Sequence, residues 1–204
     1  YNAGKYLADS INSILNQSYK NLELLITDDA STDPTTLQLL QEFASKDNRV
    51  DILYLKENHG AGYARNKSIE RAKGRYIAFC DSDDRWTTDK LEKQIAFMNK
   101  KKCALSCASY IIFDGETQNE IGFCTAPKKI TYGMMKRDNK VGCLTAIYDV
   151  QMLGRKFFMP TIRKRQDWAL FLQIIRECKV CYAYPEKPLA YYCMRRNSIS
   201  SNKM

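Results

Sequence analysis

Tyr76-Ile77-Ala78-Phe79-Cys80-Asp81-Ser82-Asp83-Asp84-Arg85-Trp86 sets a short apolar run directly against three carboxylates. The run is rich in aromatic and β-branched residues, follows Gly74 and stops at the acids, which is the pattern of a buried strand. The acids then stand at the strand's C-terminal end. Carboxylates this close repel one another, so a fold keeps them where a cation, a set of donors or bulk water offsets the repulsion. Ligands of open α/β sheets bind at the carboxyl ends of the strands, and hard oxygen ligands there suit a divalent cation that also holds a diphosphate. The same residues also read as a solvated acidic turn capping a helix that starts near Thr88 or Asp89.

Upstream the same arrangement recurs. Residues 22–27 form a strand candidate that ends in Asp28-Asp29-Ala30-Ser31-Thr32-Asp33, so a second acidic pair closes a strand. Asp33 before Pro34 is an N-cap with proline at the first helical position, and Leu37, Leu40 and Phe43 give the following helix an apolar face. Leu7, Ile11, Ile14 and Leu15 predict an amphipathic helix over 5–17. A third strand over 50–55 leads into Glu57-Asn58-His59-Gly60-Ala61-Gly62, whose glycines allow close backbone approach to a ligand but also suit an ordinary turn, and then into a helix over about 63–72. Helix and strand alternate at short spacing, which calls for an α/β fold with a parallel sheet and right-handed crossovers.

Downstream, Leu91, Ile95, Phe97 and Met98 mark a helix, and 104–113 reads as one strand ending at Asp114-Gly115. The pattern then loosens. Short strands are expected at 130–132 and 145–148, a basic loop at 160–165 and a helix over 167–176 carrying Trp168, Phe171, Leu172 and Ile175 on one side. No repeat, low-complexity tract or linker divides the chain, so a single domain over 1–204 is expected. Tyr1-Asn2-Ala3-Gly4 reads as the loop after a strand, which suggests an N-terminally truncated form of a longer protein.

With 204 residues, 45% of them hydrophobic and 27% charged, the composition is that of a globular domain with a sizeable core. No apolar run reaches the roughly 20 residues that span a bilayer, and no signal-peptide pattern is present. The 8 cysteines are scattered and several sit in apolar runs, as expected of free thiols in a reducing compartment. Cys178-Lys179-Val180-Cys181 lies at the end of a helix rather than its start and has no second pair, which disfavours both a redox role and zinc. The net charge of +9 is spread over Lys100-Lys101-Lys102, Lys128-Lys129, Arg163-Lys164-Arg165 and Arg195-Arg196. A solvated surface accounts for most of it, followed by a phosphorylated ligand or an anionic membrane surface. Nucleic acid ranks last, because no recognition motif interleaves basic and aromatic residues.

Taken in order, the motifs resemble the family 2 glycosyltransferases of the GT-A fold, of the type that builds bacterial capsule, exopolysaccharide and lipopolysaccharide. The matching pieces are Tyr1-Asn2-Ala3-Gly4-Lys5-Tyr6-Leu7, Ile26-Thr27-Asp28-Asp29-Ala30-Ser31-Thr32-Asp33, Gly60 with Ala64-Arg65-Asn66, and Asp81-Ser82-Asp83-Asp84. Lys164-Arg165-Gln166-Asp167-Trp168 and Tyr191-Tyr192 through Ser198-Ile199-Ser200 match the acceptor half, so the resemblance covers nearly the whole chain. It implies a Rossmann-like, mostly parallel central sheet, with a nucleotide-binding half over about 1–100 and an acceptor-binding half over about 101–204. It also implies an inverting, metal-dependent transferase that uses a nucleotide sugar, a UDP-sugar, and a glycan or lipid-linked glycan acceptor. That enzyme would work in the cytoplasm at the inner face of the membrane.

The resemblance carries roles to particular residues. Asp28 and Asp29 fall in the donor site, where Asp29 would hydrogen-bond uracil or ribose, with Tyr1, Asn2, Gly60 and Arg65 closing the nucleotide pocket. Asp81 and Asp83 form the family's DxD. Asp83 would bind Mg²⁺ or Mn²⁺ on the diphosphate, and Asp81 would contact ribose or metal. Asp167 falls where inverting members keep the catalytic base, with an acid stabilised by a helix start as the lesser alternative. Trp168 reads either as a sugar-stacking platform or as core. Many relatives carry a histidine where this chain has Arg195, and an arginine there suits a diphosphate contact. A non-catalytic sugar-nucleotide-binding domain and a sugar nucleotidyltransferase are the rival functions.

Overall fold

The computed structural model describes residues 1–195. Helix α1 (Tyr6–Leu15) buries Leu7, Ile11 and Ile14, the face its apolar spacing marks. Strand β1 (Leu24–Asp28) leads through Asp33 into α2 (Pro34–Lys46), and Asp33 caps α2 by accepting a hydrogen bond from the Thr36 N–H. Next come β2 (Val50–Tyr54), α3 (Ala61–Arg71), β3 (Tyr76–Ala78), the two-residue β4 (Arg85–Trp86) and α4 (Lys90–Lys101). The second half holds β5 (Leu105–Ala108), β6 (Tyr110–Asp114), β7 (Glu120–Cys124) and β8 (Lys129–Thr131). It continues with α5 (Tyr132–Arg137), β9 (Ile147–Asp149), α6 (Val150–Leu153), α7 (Gln166–Cys178), β10 (Val180–Tyr184) and β11 (Ala190–Met194).

The fold is α/β with three sheets, a parallel pair β1-β2 and two mixed sheets, β3-β9-β5-β10-β8 and β4-β11-β6-β7. In the five-stranded sheet β3, β5 and β10 share one direction, while β9 and β8 run against them. The parallel direction expected from helix–strand alternation therefore survives, but β9 is inserted between β3 and β5. Alternation fixes the direction only of strands joined by a crossover, and β9 arrives from much later in the chain.

One expected strand, 104–113, is two. β5 is buried along its whole length and lies in the five-stranded sheet, whereas β6 belongs to the four-stranded one. The chain changes sheets at Ser109, whose hydroxyl accepts from the Ala126 N–H and whose carbonyl accepts from the Leu189 N–H. Strands β7 and β10 give too little alternation to be read in advance, the first being exposed along nearly its whole length and the second mostly covered.

Beyond β3, Phe79 packs edge-on against Phe171 of α7 at a centroid distance of 6.0 Å and beside Tyr148 of β9 at 6.1 Å. That contact ties the end of β3 to the largest core cluster, built around Leu170, Phe171 and Ile174 of α7. The acids that follow are thus delivered from a rigid root. Strands β1 and β3 each pair on one side only, and a slot flanked by Leu24, Ile26, Tyr76 and Ala78 opens between them.

Candidate active site

The slot is one end of a cleft of about 2550 Å³. Ligand pockets usually enclose about 300–1,000 Å³, so this cleft has room for more than one molecule. Asp29, Asp81, Asp83 and Asp167 all line it, as do Tyr1, Gly60, Arg65 and Arg195.

The donor side is knitted by hydrogen bonds. Asp29, buried at the end of β1, accepts from the His59 N–H at 2.8 Å and the Gly60 N–H at 2.7 Å, one on each carboxylate oxygen. The carboxylate thereby pins the loop that opens α3, and Gly60 there takes φ +89°, a conformation that favours glycine. His59 stacks its ring on Tyr63 at 4.5 Å. Asp28 and Asn2 do not line the cleft. The Asp28 carboxylate accepts from the Ser31 N–H and hydroxyl, and the Asn2 side-chain carbonyl accepts from the N–H groups of Thr32 and Asp33. Both residues staple the 28–33 loop rather than face a ligand, which departs from their expected place in the donor site. Ala30 in that loop sits at φ +62°, a strained conformation for a residue with a Cβ.

Each acid of the DxD faces an arginine. Asp81 pairs with Arg65 from α3, and Asp83 pairs with Arg195 at 2.5 Å. The Asp81 charge holds the Arg65 guanidinium even more firmly protonated than usual. Burial lifts the Asp83 carboxyl above the ordinary range, against the pull of Arg195. Arg195 also lies over the Tyr6 ring at 5.1 Å, and its buried Nε has no partner among the described residues. The turn itself is held from α1, where the Ser10 hydroxyl donates to the Asp81 carbonyl at 3.0 Å. Asp84 is 1% exposed, and burial followed by the neighbouring Asp81 and Asp83 charges pushes its carboxyl far up. It accepts from the Cys193 N–H at 2.9 Å, so the third acid fastens β11 to the turn and sets Arg195 opposite Asp83. Burial raises the thiols of Cys80 and Cys143, which removes both as nucleophiles.

On the acceptor side, Asp167 opens α7 and accepts from the Asn139 side-chain amide at 3.2 Å. The Trp168 indole N–H donates to the Met135 carbonyl at 2.6 Å while the ring packs on the core and borders the cleft. Two residues without a role in the sequence reading join the halves. The Asn66 amide of α3 makes both hydrogen bonds to the Met159 backbone, each 2.8 Å. Gln166 packs against Gly62, where an added Cβ would lie 3.0 Å from the Gln166 Cδ. Asn66 and Asp84 both lie inside matching pieces of sequence, Ala64-Arg65-Asn66 and Asp81-Ser82-Asp83-Asp84, so membership of a motif was the available signal for both.

A family model described as "Glycosyl transferase family 2" matches residues 1–158. The chain belongs to the family 2 glycosyltransferases. A teichuronic acid biosynthesis glycosyltransferase, TuaG of Bacillus subtilis, carried as putative in its own name, is 43% identical over 203 residues, covering 100% of this chain and 79% of that protein. WfgD of Escherichia coli, a UDP-Glc:alpha-D-GlcNAc-diphosphoundecaprenol beta-1,3-glucosyltransferase, is 37% identical over 203 residues, covering 100% of this chain and 78% of that protein. Among solved structures, TarS of S. aureus in complex with UDP-GlcNAc superposes with a TM-score of 0.78 at 21% identity, over 100% of this chain and 59% of that one. A Pyrobaculum calidifontis mannosyltransferase, PcManGT, with GDP-Man and Mn²⁺ gives 0.73 at 16%, over 97% of this chain and 56% of that one. The chain thus spans somewhat over half the length of these solved proteins, and the likeness gives it the GT-A fold. Family membership makes the protein a glycosyltransferase and sets the nucleotidyltransferase reading aside. Arg195 is the last described residue, and Ser198-Ile199-Ser200 lies outside the described residues.

Proposed function

We propose that this glycosyltransferase moves a sugar from a UDP-sugar to a hydroxyl of a lipid-linked glycan, with inversion at the anomeric carbon. The observation that carries the reading is that Asp29, Asp81, Asp83 and Asp167 open onto one cleft. The substrates named for WfgD, identical at 37% of positions, support the donor and acceptor classes.

Among the described residues no three His, Cys, Asp or Glu side chains converge as a metal cage. Two cleft carboxylates do fit Mg²⁺ or Mn²⁺, because Mg²⁺ is commonly held by one or two carboxylates plus substrate phosphates. Asp83, with Asp81, would hold the ion. When bound, such a cation supplies Lewis-acid stabilisation of the charge on the departing UDP. Arg195, with an unpartnered Nε, contacts the diphosphate, while Asp29 keeps the Gly60 loop against the nucleoside. Asp167 accepts the proton of the acceptor hydroxyl as its oxygen bonds to the anomeric carbon from the face opposite the breaking bond to the diphosphate. Asn139 orients the Asp167 carboxylate.

No helix among the described residues is long and apolar enough to cross a membrane, and a lipid-linked acceptor places the work at the cytoplasmic membrane face. The decisive experiment incubates the protein with a panel of UDP-sugars and a GlcNAc-diphosphate-lipid acceptor, with Mn²⁺ or with chelator. Metal-dependent β-linked product is expected. Turnover unaffected by chelator removes the metal from the reading, and an α-linked product from an α-linked donor removes inversion.

A further inference from the structure

The run Arg163-Lys164-Arg165 enters none of the steps above, yet all three residues line the cleft and all three are exposed. None forms an ion pair with a carboxylate among the described residues, and residues 196–204 contain no Asp or Glu. Three other cations of the cleft are paired, Arg65 to Asp81, Arg195 to Asp83 and Lys140 to Asp138. Three adjacent cations left without counter-charge at the mouth of a cleft raise the local concentration of an anion.

The run is also held in place. Its upstream root is fixed by the paired hydrogen bonds from Asn66 to Met159, and its downstream end by Gln166, whose side-chain amide donates to the Ile162 carbonyl at 2.7 Å. Arg165 adopts φ +64° and lays its guanidinium over the Trp168 ring at 5.1 Å, which limits the side chain's freedom before any ligand arrives. Its Cα is two residues from Asp167 and so at most about 7 Å away. Arg165 and Asp167 are thus close enough for their side chains to address one acceptor molecule. Ile162 and Phe158, 45% and 39% exposed, flank the cations with apolar surface.

We infer that Arg163, Lys164 and Arg165 form the subsite for the diphosphate of the acceptor. On the proposed function, with Asp167 addressing a hydroxyl of the acceptor's first sugar, the diphosphate on that sugar's anomeric carbon reaches the cationic run while the lipid leaves past Ile162 and Phe158. The arginine forks suit paired phosphate oxygens, and Lys164 adds a mobile point charge. The subsite makes the enzyme select acceptors by their diphosphate as well as by their sugar.

The test compares wild type with the double variant R163S/K164S, both substitutions lying on an exposed loop. Three acceptors share one sugar and one alkyl chain, linked through a diphosphate, a monophosphate or a neutral glycosidic oxygen. The inference expects wild type to prefer the diphosphate, and the variant to raise its KM by about tenfold or more while kcat, donor KM and the neutral acceptor's KM stay put. A second arm titrates the diphosphate acceptor against both proteins with no donor present, so it reads the subsite even if no sugar is transferred. Absence of transfer by wild type to all three acceptors, with weakened binding in the variant, sets aside the proposed donor and acceptor sugar and keeps the subsite. Equal binding by the two proteins overturns it. A third arm uses phosphatidylglycerol vesicles: a variant that loses vesicle binding but keeps its acceptor KM makes the run a membrane contact and also overturns the inference.

Discussion

The two sides of the cleft use the same residue types in opposite ways. On the donor side Asp29, Asp81 and Asp83 are each already bonded within the protein, to two backbone amides and to two arginines. On the acceptor side Arg163, Lys164 and Arg165 face the cleft without a carboxylate, and Asp167 accepts from the Asn139 side-chain amide alone among the described residues' side chains. A donor site that always receives the same nucleotide gains from side chains fixed before binding, since little conformational freedom is then lost. An acceptor site meets a larger, more variable molecule, and unmatched charge captures it without demanding one geometry.

The strongest way to break this comparison is to neutralise Asp167 on the acceptor side. If Asp167 is the base, Asp167→Asn should lower single-turnover transfer by roughly two to four orders of magnitude and leave UDP affinity nearly intact. Rapid-quench rates beside calorimetric titration of UDP measure both. Loss confined to UDP binding would turn Asp167 into a structural acid at a helix start and place the base elsewhere.

Next in size is Arg195, the cation opposite Asp83 on the donor side. In Arg195→Ala, UDP affinity measured with Mn²⁺ should fall about ten- to a hundredfold, the worth of a charge-assisted hydrogen bond or two. Mn²⁺ binding without nucleotide should not weaken, because Asp83 loses the cation that competes for its carboxylate. Unchanged UDP affinity would leave Arg195 as a counter-ion of Asp83 alone.

The donor side was also the more legible half of the sequence. Apolar runs ending in Asp28-Asp29 and Asp81-Ser82-Asp83-Asp84 reveal both strand ends, because the apolar strand and its acidic end differ sharply in composition. Asp33-Pro34 shows a helix start through a strictly local bond, confirmed by the Thr36 N–H. Beyond Cys103 the determinants are long-range. The break at Ser109 depends on partners at Ala126 and Leu189, and Asp84 owes its task to Cys193. No window along the chain contains both ends of such bonds. The roles of Asn2 and Asp28 were hidden for the converse reason: both sit inside a ligand-facing motif, and only the fold shows that their oxygens turn back onto the loop.

Asn66 sharpens the comparison, since it joins the rigid side to the open one. Asn66→Ala removes both bonds to the Met159 backbone and leaves that N–H and carbonyl unpartnered at a half-buried site. A loss of about 2 kcal/mol in stability is expected from two such bonds, together with a raised acceptor KM and an unchanged donor KM. Denaturant unfolding and steady-state kinetics test the two parts. A donor KM that rises as much as the acceptor KM would mean that α3, rather than the acceptor loop, depends on this joint.

The smallest expected effect concerns a cation behind the acids. Lys90 is fully buried, donates to the Gln94 side-chain carbonyl at 3.1 Å and lies over the Trp86 ring at 4.3 Å, with no carboxylate beside it. Burial lowers its ammonium from the ordinary 10.5 to about 7. Because the folded value is depressed, the unfolded chain binds more protons between pH 7 and 10.5, so stability rises with pH across that window and the cost is fully present below pH 7. Lys90→Met should therefore stabilise the protein by about 1 kcal/mol at pH 7, toward the low end for replacing a buried charge with an apolar group, since Gln94 loses a donor. The gain should fade as the pH approaches 10.5. If the donor acids are neutralised by Arg65 and Arg195 alone, UDP affinity is the same in wild type and Lys90→Met. A variant that is more stable but binds UDP several-fold more weakly would make Lys90 a third counter-charge, and the donor side would then be balanced from behind as well as across the cleft.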